Sequence, residues 1–201
     1  SRIGRWRVSA GWYAVALLTP TALMLAVLFA FRTLVSPVFT PKLFLPGIVF
    51  GLVPGILEEF GWMGFAFPKM RVKRSALSVA IVLGVLWGLW HAPVVDYLGA
   101  AAPHGVYWPL FFLSFIAIVT AIRVLIVWIY SNTGSILLGM VMHSSLTASL
   151  AALDPAPISP AQETLWYAVF AAVLWIVVVL VAARYGKSLV RQPAQVRPVS
   201  L

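Results

Sequence analysis

Residues 107–129 read YWPLFFLSFIAIVTAIRVLIVWI, and Arg123 is the only charged residue among them. A helix of this length spans about 35 Å at 1.5 Å per residue, more than the roughly 30 Å hydrocarbon core of a bilayer. An apolar run this long reads as a membrane-spanning helix.

The same pattern recurs on both sides. Six spans are predicted, near 11–31, 45–67, 76–92, 107–129, 135–152 and 164–183. The breaks between them carry turn chemistry: Ser36-Pro37 and Thr40-Pro41, Pro68 with a basic run, Pro103-His104-Gly105, Asn132-Thr133-Gly134, and the proline-rich stretch from Asp154 to Pro160. No internal repeat, low-complexity tract or long hydrophilic linker divides the chain. The expected architecture is an all-α, polytopic transmembrane helical bundle forming one membrane domain over 1–201.

Composition agrees. Of 201 residues, 62% are hydrophobic and 9% charged. Soluble domains run nearer about 45–50% apolar and about 25% charged. Too few charges remain to cover a watery surface, which excludes an ordinary soluble domain, a disordered chain and a nucleic-acid binder. With no cysteine, a disulfide, a thiolate nucleophile and a Cys-based zinc site are all excluded.

The net charge of +9 is read as a topology signal. Arg2, Arg5 and Arg7, then Lys69, Arg71, Lys73 and Arg74, then Arg184, Lys187, Arg191 and Arg197 fall on one side of six alternating spans. Arg32 and Lys42 fall on the other, with Asp96, Asp154 and Glu163. Short Lys/Arg-rich loops stay cytoplasmic, so both ends of this sequence are expected there in a multi-pass protein of the cell membrane. Contact with anionic membrane lipid is a secondary expectation.

An ionisable residue at the centre of a span costs about 2.5–3.5 kcal/mol on insertion scales, so such residues face a protein interior or a wet cavity. Here they are Glu58, Glu59, His91, Arg123 and His143. Glu58 and Glu59 follow Pro54-Gly55-Ile56-Leu57. Neighbours on a helix point about 100° apart, so one carboxylate faces a pocket while the other meets a neighbouring helix. The plainer alternative ends the helix early and solvates both. His91 sits in Trp87-Gly88-Leu89-Trp90-His91-Ala92-Pro93, and His143 in Gly139-Met140-Val141-Met142-His143-Ser144-Ser145. Two Glu and two His on three helices can activate water: a carboxylate takes its proton, one imidazole shares it, another donates to the oxyanion. A metal held by two His and a carboxylate is the rival chemistry, although no His-Glu-x-x-His element occurs. A transporter using the carboxylates as a proton relay is disfavoured, because no inverted repeat is visible.

In this order the segments resemble the CPBP family, the CAAX prenyl-protease and bacteriocin-processing family also called Abi. Its hallmarks are Glu-Glu-x-x-x-Arg, Phe-x-x-x-His and His-x-x-x-Asn on successive membrane helices. The matching strings are Glu58-Glu59-Phe60-Gly61-Trp62-Met63-Gly64-Phe65, then Trp87 to Pro93, then Thr133-Gly134-Ser135-Ile136 leading to His143, within a core of about 45–152. The resemblance implies an intramembrane endopeptidase on a bundle commonly of eight helices, which six would fit if the first spans were lacking. It assigns Glu58 as general base, His91 as its partner on the water, Glu59 as a structural carboxylate and His143 as an oxyanion donor. It requires no cofactor, although a divalent metal such as zinc is compatible with it.

Two positions depart from the pattern: Met63 stands at the motif Arg and Thr147 at the motif Asn. Met63 cannot neutralise Glu59, and Thr147 offers one hydroxyl donor where Asn offers two N–H groups. Trp87 in place of Phe reads as a mild change between large aromatics. Arg123 either reaches a carboxylate and compensates for Met63 or snorkels to the interface, and snorkelling is the favoured expectation. Trp12, Tyr13, Trp108, Tyr130, Trp166 and Tyr167 are expected in interfacial belts. Gly84 and Gly88 make a small-residue surface for close helix approach, expected to serve packing within the chain. The functional expectation is a peptidase acting with a Glu/His-activated water on a membrane-associated or lipidated protein, a farnesylated CAAX sequence not being specifically implied. The alternative is a weakened or inactive relative serving bacteriocin self-immunity or acting as a membrane scaffold.

Overall fold

The computed structural model describes residues 5–95, 104–155 and 157–190. Expectations resting on Arg2, Asp96, Pro103, Arg191 and Arg197 lie outside the described residues. Among those described, no strand occurs, and the chain is an antiparallel helical bundle. Its long helices are α1 (Ala10–Leu34), α2 (Leu45–Arg71), α3 (Ala76–Trp90), α4 (Trp108–Thr133), α5 (Ile136–Leu153) and α6 (Pro160–Tyr185).

Five of these are long and apolar enough to cross a membrane, against six predicted. The exception is α3, whose 15 residues reach only about 22 Å at 1.5 Å per residue. It stops at Trp90 because Pro93 lies close behind: helices end at or before the residue preceding a proline. A short helical turn, Ala92–Val95, follows.

Local chemistry sets the other boundaries. Proline occupies the first turn of α2, α4 and α6, where its missing N–H costs nothing. Ser75 caps α3 and Ser159 opens α6 with a capping box to Gln162. Gly134, at φ +66°, ends α4 in the left-handed region and reverses the chain into α5. Within α2 the helix widens into a π turn over Trp62–Ala66. Pro68 lies one turn further on, and its ring would meet the carbonyl of Gly64 in a regular helix; the widened turn accommodates it.

The buried interior is built around α4 and α5. Helix α5 packs against α1, α2 and α4, while α4 also packs against α3 and α6. The closest approach is between α2 and α5. Gly47, Gly51 and Gly55 lie four residues apart on one face of α2, where a Cβ atom would overlap Ala151, Ala148 and Ser144 respectively. Small residues let helix backbones meet in this way. The next residue on the same face is Glu59, so the glycine stripe carries that carboxylate against α5. Gly84 and Gly88 do the same for α3 against Thr120 and Ile116 of α4, an intramolecular contact as expected.

One end of the bundle gathers basic residues. Arg5 lies against Gly134, and Leu77 N–H donates to the Lys187 carbonyl at 3.1 Å. Asp154 and Glu163 lie at the opposite end, where Phe44 N–H meets the Ala152 carbonyl at 2.8 Å. Trp166 and Tyr167 are not interfacial: both are buried, with Tyr167 against Phe111 and Trp166 near Phe170. Their positions near a helix end hid the fact that they face the bundle.

Candidate active site

Glu59 is fully buried between two partners from different helices. Arg123 Nη1 donates to Oε2 at 2.7 Å, and His143 Nδ1 donates to Oε1 at 2.8 Å. The snorkelling expectation for Arg123 is therefore corrected. Its side chain is fully buried in the most enclosed stretch of α4, with the guanidinium 4.5 Å from the Trp87 ring centroid and 5.7 Å from that of Trp62. Nothing in the apolar run around Arg123 distinguishes a residue that faces inward from one that reaches for the surface. Its position relative to Glu59 decides it, because a buried carboxylate must be paired. Arg123 Nε and Nη2 have no hydrogen-bond partner among the described residues and lie near the two aromatic rings.

Met63 is fully buried one turn beyond Glu59. A Cβ on Gly139 would stand 3.8 Å from Glu59 Oε2 and 3.9 Å from Met63 Cγ. Met63 thus lies alongside the carboxylate it cannot neutralise, while Arg123 supplies the positive charge from α4.

Glu58 points elsewhere, as the angular argument requires. It is half-buried, and its Oε2 accepts from Trp87 Nε1 at 2.9 Å and, more weakly, from Trp62 Nε1 at 3.4 Å. Its Oε1 makes no hydrogen bond among the described residues. The early-ending helix is excluded, because α2 continues to Arg71.

His91 is half-buried just past the end of α3, where its Nδ1 lies 2.7 Å from the Trp87 carbonyl. A carbonyl only accepts, so Nδ1 carries the proton, and in the neutral ring Nε2 is the basic nitrogen. The bond also satisfies one of the carbonyls that a helix leaves unpaired in its last turn. Phe115 and Trp90 pack edge-on against the ring. Glu58, His143 and Arg123 are all close enough to act electrostatically on His91.

A cavity of about 210 Å³ opens beside His91. Trp87 and Thr147 line it near the site, and Asp154, Glu163 and Tyr167 line it further along. The sequence leads one to expect Glu58, His91 and His143 around one shared void. The structure instead gathers them around Trp87, whose ring is also 4.5 Å from that of His143; of the three, only His91 lines the cavity. Thr147 Oγ1 donates to the His143 carbonyl at 3.1 Å, so its donor is committed to its own helix. Ser144 and Ser145, beside His143 in sequence, bond to the Leu52 and Leu17 carbonyls and serve helix packing. Both Glu59 oxygens are occupied, and among the described residues no group of three or more acidic or imidazole side chains is placed to hold a metal.

Two contributors escaped the sequence reading. The glycine stripe of α2 was legible as a repeat of four residues. The Trp87 indole was not, since a donor and a packing ring are written with the same letter.

Residues 40–149 match the family described as Rce1-like, type II CAAX prenyl endopeptidase. Over 106 residues the chain is 29% identical to CAAX prenyl protease 2 of Methanococcus maripaludis, covering 50% of this chain and 38% of that protein. The chain thus spans well under half the length of that relative. Matched over more than half its length, the chain belongs to the Rce1-like family of type II CAAX prenyl endopeptidases.

Proposed function

We propose that this multi-pass membrane protein is an intramembrane endopeptidase that hydrolyses a peptide bond in a prenylated or otherwise lipidated protein. One observation carries the reading. Glu58 and His91 are both anchored on Trp87 and each keeps one atom unbonded among the described residues, Oε1 on the carboxylate and Nε2 on the ring.

In this reading a water between those atoms gives a proton to Glu58 while its oxygen attacks the scissile carbonyl carbon. His91 Nε2 accepts a hydrogen bond from the same water and orients it. The carbonyl oxygen becomes an oxyanion, to which His143 donates from Nε2 when the ring holds both protons. The proton on Glu58 then passes to the leaving amine as the C–N bond breaks. Glu59 and Arg123 hold His143 in place and take no proton. The cavity beside His91 takes the substrate segment. The basic end of the bundle faces the cytoplasm, where anionic headgroups meet its Arg and Lys side chains.

The test uses the purified chain in liposomes with a fluorescence-quenched peptide bearing a prenylated cysteine followed by three residues. Glu58→Gln and His91→Ala are each expected to lower turnover by at least about 10²-fold with expression retained. Cleavage by both variants at the wild-type rate would remove the mechanism.

A further inference from the structure

Trp87 meets four groups of the candidate site, Glu58, His91, His143 and Arg123. Its indole N–H donates to Glu58 at 2.9 Å, its carbonyl accepts from His91 at 2.7 Å, and its ring lies 4.5 Å from both the His143 ring and the Arg123 guanidinium. The residue is almost completely buried. We propose that Trp87 is a positioning residue that sets both members of the water-activating pair, fixing by its indole which carboxylate oxygen of Glu58 is basic and by its backbone which nitrogen of His91 is. The inference rests on the peptidase reading and deepens it.

The chemistry follows from the two bonds. A carboxylate with one oxygen held by an indole donor can turn neither that oxygen nor its plane toward the water. Oε1 is left to receive the proton. The Trp87 carbonyl, itself a last-turn group of α3, keeps the proton of His91 on Nδ1 and leaves Nε2 as the acceptor. A single residue thus ties α2, through its indole, and the end of α3, through its carbonyl, into one catalytic geometry. Trp62, whose longer bond comes from the same helix as Glu58, cannot do this between helices. A phenylalanine would fill the same space and give no donor. The ring alone would only pack.

Trp87→Phe isolates the indole, because it keeps the ring and the backbone carbonyl that holds His91. The expected result is a fall in kcat of about 10²-fold, the loss typical of a misplaced catalytic group, with KM and melting temperature close to wild type. In a Glu58→Gln background the same change has no further effect, because the group it positions is gone. If the Phe variant fails to fold, 3-benzothienylalanine at position 87 replaces N–H by sulfur in the same shape. A readout apart from activity is the indole ¹H–¹⁵N resonance of Trp87 in ¹⁵N-Trp-labelled protein, assigned by its loss in the Phe variant. It is expected to move upfield in Glu58→Gln, where a neutral acceptor replaces the carboxylate. A kcat for Trp87→Phe within threefold of wild type overturns the positioning role. A resonance indifferent to Glu58→Gln overturns the bond. A wild-type rate in Glu58→Gln and His91→Ala overturns the peptidase reading and the role with it, while the resonance still decides the contact.

Discussion

Arg123 reaches Glu59 at 2.7 Å from 64 positions away in the chain, and both side chains are fully buried. His143 completes the pairing of the same carboxylate from α5. Breaking a buried pair leaves an uncompensated charge and costs about 3–5 kcal/mol. Arg123→Met is expected to destabilise by that amount, read as thermal unfolding in detergent. Glu59→Gln combined with Arg123→Met loses less than Arg123→Met alone. Met63→Arg in the Arg123→Met background recovers part of the loss, since position 63 lies beside the same carboxylate. An Arg123→Met protein melting with wild type would show that the pair carries no stability.

The glycine stripe makes a separate prediction. Gly51 on α2 has the Ala148 backbone where a Cβ would stand, whereas Gly61 on the same helix has open space. Overpacking costs about 1–3 kcal/mol. Gly51→Ala is expected to lower the melting temperature accordingly, and Gly61→Ala to stay within about 1 kcal/mol of wild type on the stabilising side. Equal melting temperatures for the two would mean that α2 and α5 are not in backbone contact.

Asp154, just past the end of α5, gives stability a pH dependence. Burial, and secondarily the charge of Glu163, push its carboxyl from 3.8 to about 8. A folded value above the unfolded one means that the native state keeps a proton the unfolded chain releases. Stability is therefore highest below about 4, falls as pH rises toward about 8, and is flat above it as far as this group is concerned. Asp154→Asn should remove that slope between pH 5 and 8 and be more stable than wild type at pH 8. Parallel melting curves for the two proteins across this range would refute the assignment.

Thr147 lines the cavity beside His91, yet its hydroxyl donates to the His143 carbonyl. Thr147→Asn places N–H donors at that wall without disturbing Glu59. One oxyanion donor is worth about 10²–10³ in rate, and an imperfectly placed one a fraction of that. Turnover of the quenched prenyl peptide is expected to rise by about tenfold in Thr147→Asn. An unchanged or lower rate would place the oxyanion away from this wall.

The helices are legible in the sequence because each answers to its own residues. The run around Arg123, the prolines opening α2, α4 and α6, and Gly134 act within a few positions of the chain. The shortness of α3 was missed because hydropathy runs past Trp90 while Pro93, a backbone effect, ends the helix. At the site, the four ionisable residues predicted as catalytic were visible as costly exceptions in apolar surroundings. Their partners were not. The sequence favours the surface for Arg123 and reads Trp87 as a mild exchange for Phe, because neither a guanidinium's direction nor the use of an indole N–H is encoded locally.

A bilayer selects on each segment separately, so hydropathy, charge asymmetry and turn residues settled the all-helical membrane class and the approximate spans from the sequence alone. Which carboxylate pairs with which cation, which imidazole meets which carboxylate, and which of them borders the cavity were decided by the tertiary structure. Those outcomes depend on helix faces brought together by the glycine stripe of α2 and by the depth of α4 in the bundle. Contacts between residues tens of positions apart have no signature in either residue's neighbours. Only the requirement that buried charge be paired selects among them, and it acts after the helices have packed.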